Sequence, residues 1–281
     1  MKRVGFVYHE IFGREGYPVL AERIEPTMDG LKEKGLLEKI ILIKPKPVSE
    51  NLLLKVHTKK MIELVKQTPY YKVALFSAGG VVALGEKVWV GELNNGFALT
   101  GTAGHHAGKD EFWGFCYFND VALAITNLRS KFNVKAKFTI LDTDSHHGDG
   151  TRDIFQGDLN IQHICFCSET KISDKKTKID VYVPPKISDE DYVKLVEENF
   201  LPEAEKFKPT MVFWHFGYDT HIGDYGSKGL TSECYIKLTK IVKNFVEKNC
   251  DGKLVIVLCG GSKPEVAKKT IPKMVEILLK D

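Results

Sequence analysis

Residues 142–150 read DTDSHHGDG, which places three carboxylates (Asp142, Asp144, Asp149) and two imidazoles (His146, His147) within eight positions. They follow directly on the apolar run 138–141. Charges at this density beside a buried run are costly unless they are paired or bound to a cation. In an extended segment Asp142, Asp144 and His146 point to one side, as alternate residues must. Oxygen and nitrogen ligands suit Zn²⁺, whose catalytic sites keep one coordination position for water. Fe²⁺ accepts two carboxylates and an imidazole equally well. Two further segments add chemistry. Gly104-His105-His106 supplies a histidine pair, and the acidic run can give each ring a carboxylate partner. Such pairing fixes the tautomer and raises basicity, as a general base requires. Residues 217–224, GYDTHIGD, offer Asp219 and Asp224 as candidates for a third metal ligand.

These clusters need a scaffold that brings distant segments together. Short apolar runs alternate with longer amphipathic ones, as in βα units. Strands are expected over 3–9, 97–100, 137–142, Met211–Phe216 and 253–258, and helices over 22–34, 49–66, 78–90, 119–130, Asp189–Phe207, 232–248 and Pro264–Leu279. Each polar cluster, and the Gly260-Gly261 loop with them, then follows the C-terminal end of a strand. In open parallel sheets that edge is where sites are assembled. The expected architecture is a single α/β domain over residues 1–281, an open parallel sheet flanked by helices.

The 281 residues are ample to bury a core. Net charge is only +3, from 40 basic and 37 acidic side chains, so no concentrated basic face for nucleic acid is implied. The Lys-rich stretch 174–178 reads as a solvated loop. No apolar stretch approaches a membrane span. The six cysteines include no CxxC pair, and Cys165 with Cys167 matches no common zinc or redox spacing. A reducing cytoplasm is the simplest setting.

The sequence resembles the histone deacetylase and acetylpolyamine amidohydrolase family, which has an arginase-like α/β fold. The matching segments are GHHA (104–107), GFCYFND (114–120), LDTDSHHGDGT (141–151), FGYDTHIGD (216–224) and LCGG (258–261). Fainter similarity runs through YPVLAERI (17–24) and KVHT (55–58), so the likeness covers nearly the whole chain in the family's order. The resemblance implies zinc bound by Asp144, His146 and Asp224. It implies His105 and His106 at the water, with Asp142 behind the first and Asp149 behind the second. It makes Phe115 a channel wall and the Gly114 carbonyl an acceptor for the substrate amide proton. It also implies K⁺ near the 142–146 backbone, and acetylated amines or acetyl-lysine proteins as substrates.

The sequence departs from the family at several points. Ser262 stands where the family has the tyrosine that donates to the oxyanion, and Lys263 and Tyr225 are alternative donors. Residues 168–176 are polar and lack the aromatic of the opposite channel wall, which implies a more open site. Thr102-Ala103 replaces arginine and proline ahead of GHH. Alternatives to deacetylation are hydrolysis of another acyl amide, or a weakly catalytic zinc protein that binds acylated ligands. Arginase-like chemistry on paired manganese would need more aspartates than the motif supplies.

Overall fold

Nine strands form one sheet in the computed structural model, which describes residues 2–281. In chain order they are β1 Val4–Val7, β2 Ile41–Ile43, β3 Asn95–Ala98, β4 Phe138–Asp142, β5 Ile161–Cys167, β6 Lys171–Ser173, β7 Lys178–Tyr182, β8 Met211–Phe216 and β9 Leu254–Leu258. Their spatial order is β2-β1-β3-β9-β8-β4-β5-β7-β6, and only the β6–β7 pairing is antiparallel. Every residue of β4, β8 and β9 is buried, which explains their continuous apolar runs: a parallel sheet is covered on both faces.

Two groups of helices provide that cover. Tyr71–Trp89 packs on Asp120–Phe132 and against β3 and β9, while Pro264–Leu279 packs on Ile24–Glu33 and Ser232–Asn249, and the last on Asp189–Phe207. The helix Asp189–Phe207 shows how the sequence encodes these elements. Ser188 accepts the Asp191 N–H as an N-cap, and three acidic residues occupy the first turn, where the helix dipole favours them. Tyr192, Val196, Phe200 and Ala204 recur every four residues as the buried stripe. The helix ends at Lys208 in the left-handed region, immediately before Pro209.

Some boundaries differ from the sequence reading. Residues 49–66 form two helices, Glu50–Leu53 and Lys59–Lys66, because Thr58 adopts extended backbone and caps the second by accepting the Met61 N–H. The helix expected over 78–90 starts earlier, at Tyr71. Strands β2, β5, β6 and β7 were not anticipated. The stretch 174–178 is not wholly a solvated loop. Lys178 opens β7 with its ammonium buried, donating to the carbonyls of Ile161 at 2.6 Å and Asp158 at 3.0 Å in place of water.

Strands β3, β9, β8 and β4 are neighbours at the middle of the sheet. Their C-terminal ends therefore deliver the GHH loop, the Gly260 loop, the 217–224 loop and the acidic run to one edge. Register aligns Ala98, Val257, His215, Asp142, Cys165 and Asp180 in a single row across six strands.

Candidate active site

Asp142 ends β4 with no exposed surface, surrounded by imidazoles. Its Oδ2 is 3.0 Å from His105 Nδ1 and 3.6 Å from both His163 and His215. Burial alone would raise its pKa, but His105, with His163 and His215, holds the carboxyl well below its usual range. The second pair sits nearer the surface, with His106 Nδ1 2.7 Å from Asp149 Oδ1. Trp113 Nε1 donates to the other Asp149 oxygen at 2.8 Å, and its ring lies over His106 with centroids 3.7 Å apart. Both predicted histidine–aspartate pairs are thus brought together. Their environments then separate them. Burial opposes charge on His105, but Cys259, Asp144 and Asp142 outweigh it and push its pKa well above 6.5. Burial, reinforced by His105, lowers His106 to about 4.

Beside these pairs, His146 Nδ1 lies 3.0 Å from Asp144 Oδ1 and 3.2 Å from Asp219 Oδ2. One donor atom from each of the three lies within 4.8 Å of the other two. Gly260 N–H donates to Asp144 Oδ2 at 2.7 Å, and Ser145 donates to Asp219 through its hydroxyl. Hydrogen bonds to Asp144 and Asp219 push His146 to about 10, while burial and the facing Asp144 carboxylate push Asp219 to about 6.

The expected set named Asp224 beside Asp144 and His146; in the structure it is Asp219 that faces those two. The Asp224 carboxylate is saturated by donors of its own and clamps the Gly260 loop. Its Oδ1 accepts the Ser262 hydroxyl and the Tyr225 N–H, each at 2.8 Å. Its Oδ2 accepts the N–H of Ser262 at 2.9 Å and of Lys263 at 3.3 Å. The deciding signal was present in the sequence. Asp219 lies three residues beyond β8, much as Asp144 lies two beyond β4, whereas Asp224 is eight residues past its strand.

A cavity of about 150 Å³ opens over these groups, lined by His105, His106, Asp144, His146, Phe115 and Tyr225 among others. Gly114 also lines it at φ 58°, where a Cβ would come within 2.6 Å of the His106 ring. Phe115 meets Tyr225 edge-on, with centroids 5.9 Å apart and planes at 87°. The Tyr225 ring also stacks by His146 at 6.0 Å, and its hydroxyl oxygen accepts the Gly261 N–H at 3.0 Å.

Sequence reasoning passed over three residues that hold the site. Trp113 orients Asp149. His215 stands between Asp120, 3.4 Å away, and Asp142. Arg23 is fully buried and donates to the carbonyls of Cys259, Gly260 and Gly261, at 2.8, 3.2 and 2.8 Å. Only Arg23 had a sequence signal, its place in the YPVLAERI segment.

Known proteins support the same reading of the fold. The chain is 30% identical to a probable deacetylase of Archaeoglobus fulgidus, over 94% of this chain and 82% of that protein. It is 29% identical to histone deacetylase 5 of Arabidopsis thaliana and to polyamine deacetylase HDAC10 of Mus musculus, spanning 49% and 44% of those longer proteins. The crystal structure of the HDA15 HD domain superposes with a TM-score of 0.89 at 22% identity, covering 99% of this chain and 90% of that one. The family description "Histone deacetylase domain" matches residues 17–278, and with that match the chain is placed in the histone deacetylase family.

Proposed function

We propose that the protein is a zinc-dependent hydrolase that removes acetyl groups from amines, either acetyl-lysine in proteins or small acetylated polyamines. The observation that carries this reading is the convergence of Asp144, His146 and Asp219 beside two histidine–aspartate pairs in one apolar-walled cavity. The donor set fits a divalent cation: two buried carboxylates repel each other across an imidazole, and a cation would relieve that repulsion. Zinc held by these three residues would polarise the acyl carbonyl and acidify a water, and Fe²⁺ would suit the same donors.

The remaining chemistry belongs to the chain's own residues. His106, held neutral by its surroundings and oriented by Asp149, is suited to take the water proton. His105, oriented by Asp142 at 3.0 Å and 3.6 Å from Asp144, places its other ring nitrogen beside the reacting centre. A histidine then returns a proton to the leaving amine, and acetate and free amine result. The Gly114 carbonyl accepts the substrate amide proton, and Phe115 and Tyr225 flank the acyl-amine chain.

Ser262 does not take the place of the family's tyrosine in this scheme, because its hydroxyl is committed to Asp224. Tyr225 does. Its oxygen already accepts the Gly261 N–H, which leaves its own proton free to donate into the cavity. Burial pushes its pKa upward, so it keeps that proton at working pH. Relatives named as histone and polyamine deacetylases support both substrate classes. No described helix is long and apolar enough to cross a membrane, and all six cysteines are free, which suits a reducing cytoplasm. Acetate release that disappears in Asp144→Ala is the test. Acylated ligand bound without turnover would support the binding alternative instead.

A further inference from the structure

A second constellation of metal-ligating side chains lies on the far side of Asp142. Register places Cys165 of β5 beside Asp142 and Asp180 of β7 beside Cys165. Cys167 shares the Cys165 face, since residues two apart on a strand point the same way. His147, from the loop after β4, closes the group. One donor atom from each of the four lies within 4.8 Å of the other three. His147 Nδ1 is 3.3 Å from Asp180 Oδ1 and 3.6 Å from Cys167 Sγ. Both cysteines and Asp180 are buried, whereas the His147 side chain is 20% exposed.

We propose that His147, Cys165, Cys167 and Asp180 form a second metal site, closed by four protein ligands and suited to Zn²⁺. Two sulfurs, an imidazole and a carboxylate match the ligand types and number of structural zinc. The surroundings are those of a ligand shell. Arg152 grips both oxygens of Asp180, with its second contact at 3.1 Å, which fixes the carboxylate's direction. The Gly148 N–H points at Cys165 Sγ at 3.5 Å, a backbone donor of the kind that surrounds a ligating sulfur. Charge closes as well: the metal's two positive charges and Arg152's one balance two thiolates and a carboxylate. His147 also lines a surface groove with Ser168 and Glu169, which gives an ion a way in.

The site has a structural consequence. Cys167 and Asp180 bracket the polar stretch 168–176, and His147 follows His146 directly. A metal here ties the base of that stretch to the segment that carries a residue of the catalytic centre.

Cobalt(II) titration of the metal-free, reduced protein tests this without reference to turnover, so its failure is distinct from failure of the hydrolase reading. Asp144, His146 and Asp219 contain no sulfur, so a sulfur-to-cobalt charge-transfer band reports on a thiolate site alone. The expected result is two equivalents bound, with that band present in the wild type and in Asp144→Ala. Cys165→Ser, Cys167→Ser and the partly exposed His147→Ala should each weaken or remove it and lower the stoichiometry towards one. No thiolate band in the wild type at saturating cobalt would overturn the proposal, whether or not the variants fold. So would a band that survives in Cys165→Ser/Cys167→Ser, since it would arise from Cys259 beside His105.

Discussion

Replacing Tyr225 by phenylalanine tests the oxyanion assignment most sharply. The ring contacts with Phe115 and His146 persist in Tyr225→Phe, and only the hydroxyl is lost. If that hydroxyl donates to the developing oxyanion, its removal should lower kcat by roughly 10²–10³, equivalent to about 2.7–4 kcal/mol of transition-state stabilisation, with KM little changed. The structure adds a smaller effect on stability. The buried Gly261 N–H loses its acceptor, at a cost of about 1–3 kcal/mol unless water replaces it. The assay is acetate release at matched metal content, with urea unfolding in parallel to separate the two effects. Ser262→Ala is the companion variant: its hydroxyl serves Asp224, so turnover should stay near wild type and stability should fall by about 1 kcal/mol. A Tyr225→Phe enzyme with unchanged kcat, or a Ser262→Ala enzyme that loses turnover, would refute the assignment.

Asp219→Asn should weaken active-site metal binding at least tenfold, whereas Asp224→Asn should retain the metal and loosen the Gly260 loop; equilibrium dialysis with zinc distinguishes them, and the reverse order would restore Asp224 as a ligand. His57 should make folding pH-dependent. Burial lowers its folded pKa from 6.5 to about 4, while its Nε2 accepts the Asn119 N–H at the start of the helix Asp120–Phe132. There is no penalty above pH 6.5; as pH falls towards 4 the unfolded chain takes up a proton that the folded chain refuses, costing up to about 3 kcal/mol. Urea unfolding from pH 7 to 4 should show this loss, and His57→Gln should flatten the slope; equal slopes would contradict the assignment. Gly150→Ala should reduce kcat, because a Cβ there would come within 2.4 Å of the His106 and Ala107 backbone and displace the histidine loop.

Much of this was legible in the sequence because the relevant signals are local. The DTDSHHGDG run follows a strand directly, so its placement at the sheet edge follows from chain order alone. His105 and His106 form the expected carboxylate pairs for the same reason. Asp219 and Asp224 could not be separated by residue type; what decides between them is distance from β8 and the crowd of donors around Asp224. Strands β5 and β7 escaped notice because their sequences, IQHICFC and KIDVY, interrupt apolar residues with polar ones, most of them buried in the sheet. Buried Lys178 carries no local signal either, since its carbonyl partners, Asp158 and Ile161, come from another segment. The His147–Cys165–Cys167–Asp180 group had no spacing signature, as strand register across three segments creates it.

Acetate release from an acetyl-lysine peptide and an acetylated polyamine by zinc-loaded protein separates a deacetylase from a protein that only binds acylated ligands. Turnover is expected on at least one of them, abolished in Asp144→Ala. No acetate from either substrate, with zinc bound at Asp144, His146 and Asp219, would contradict the deacetylase reading.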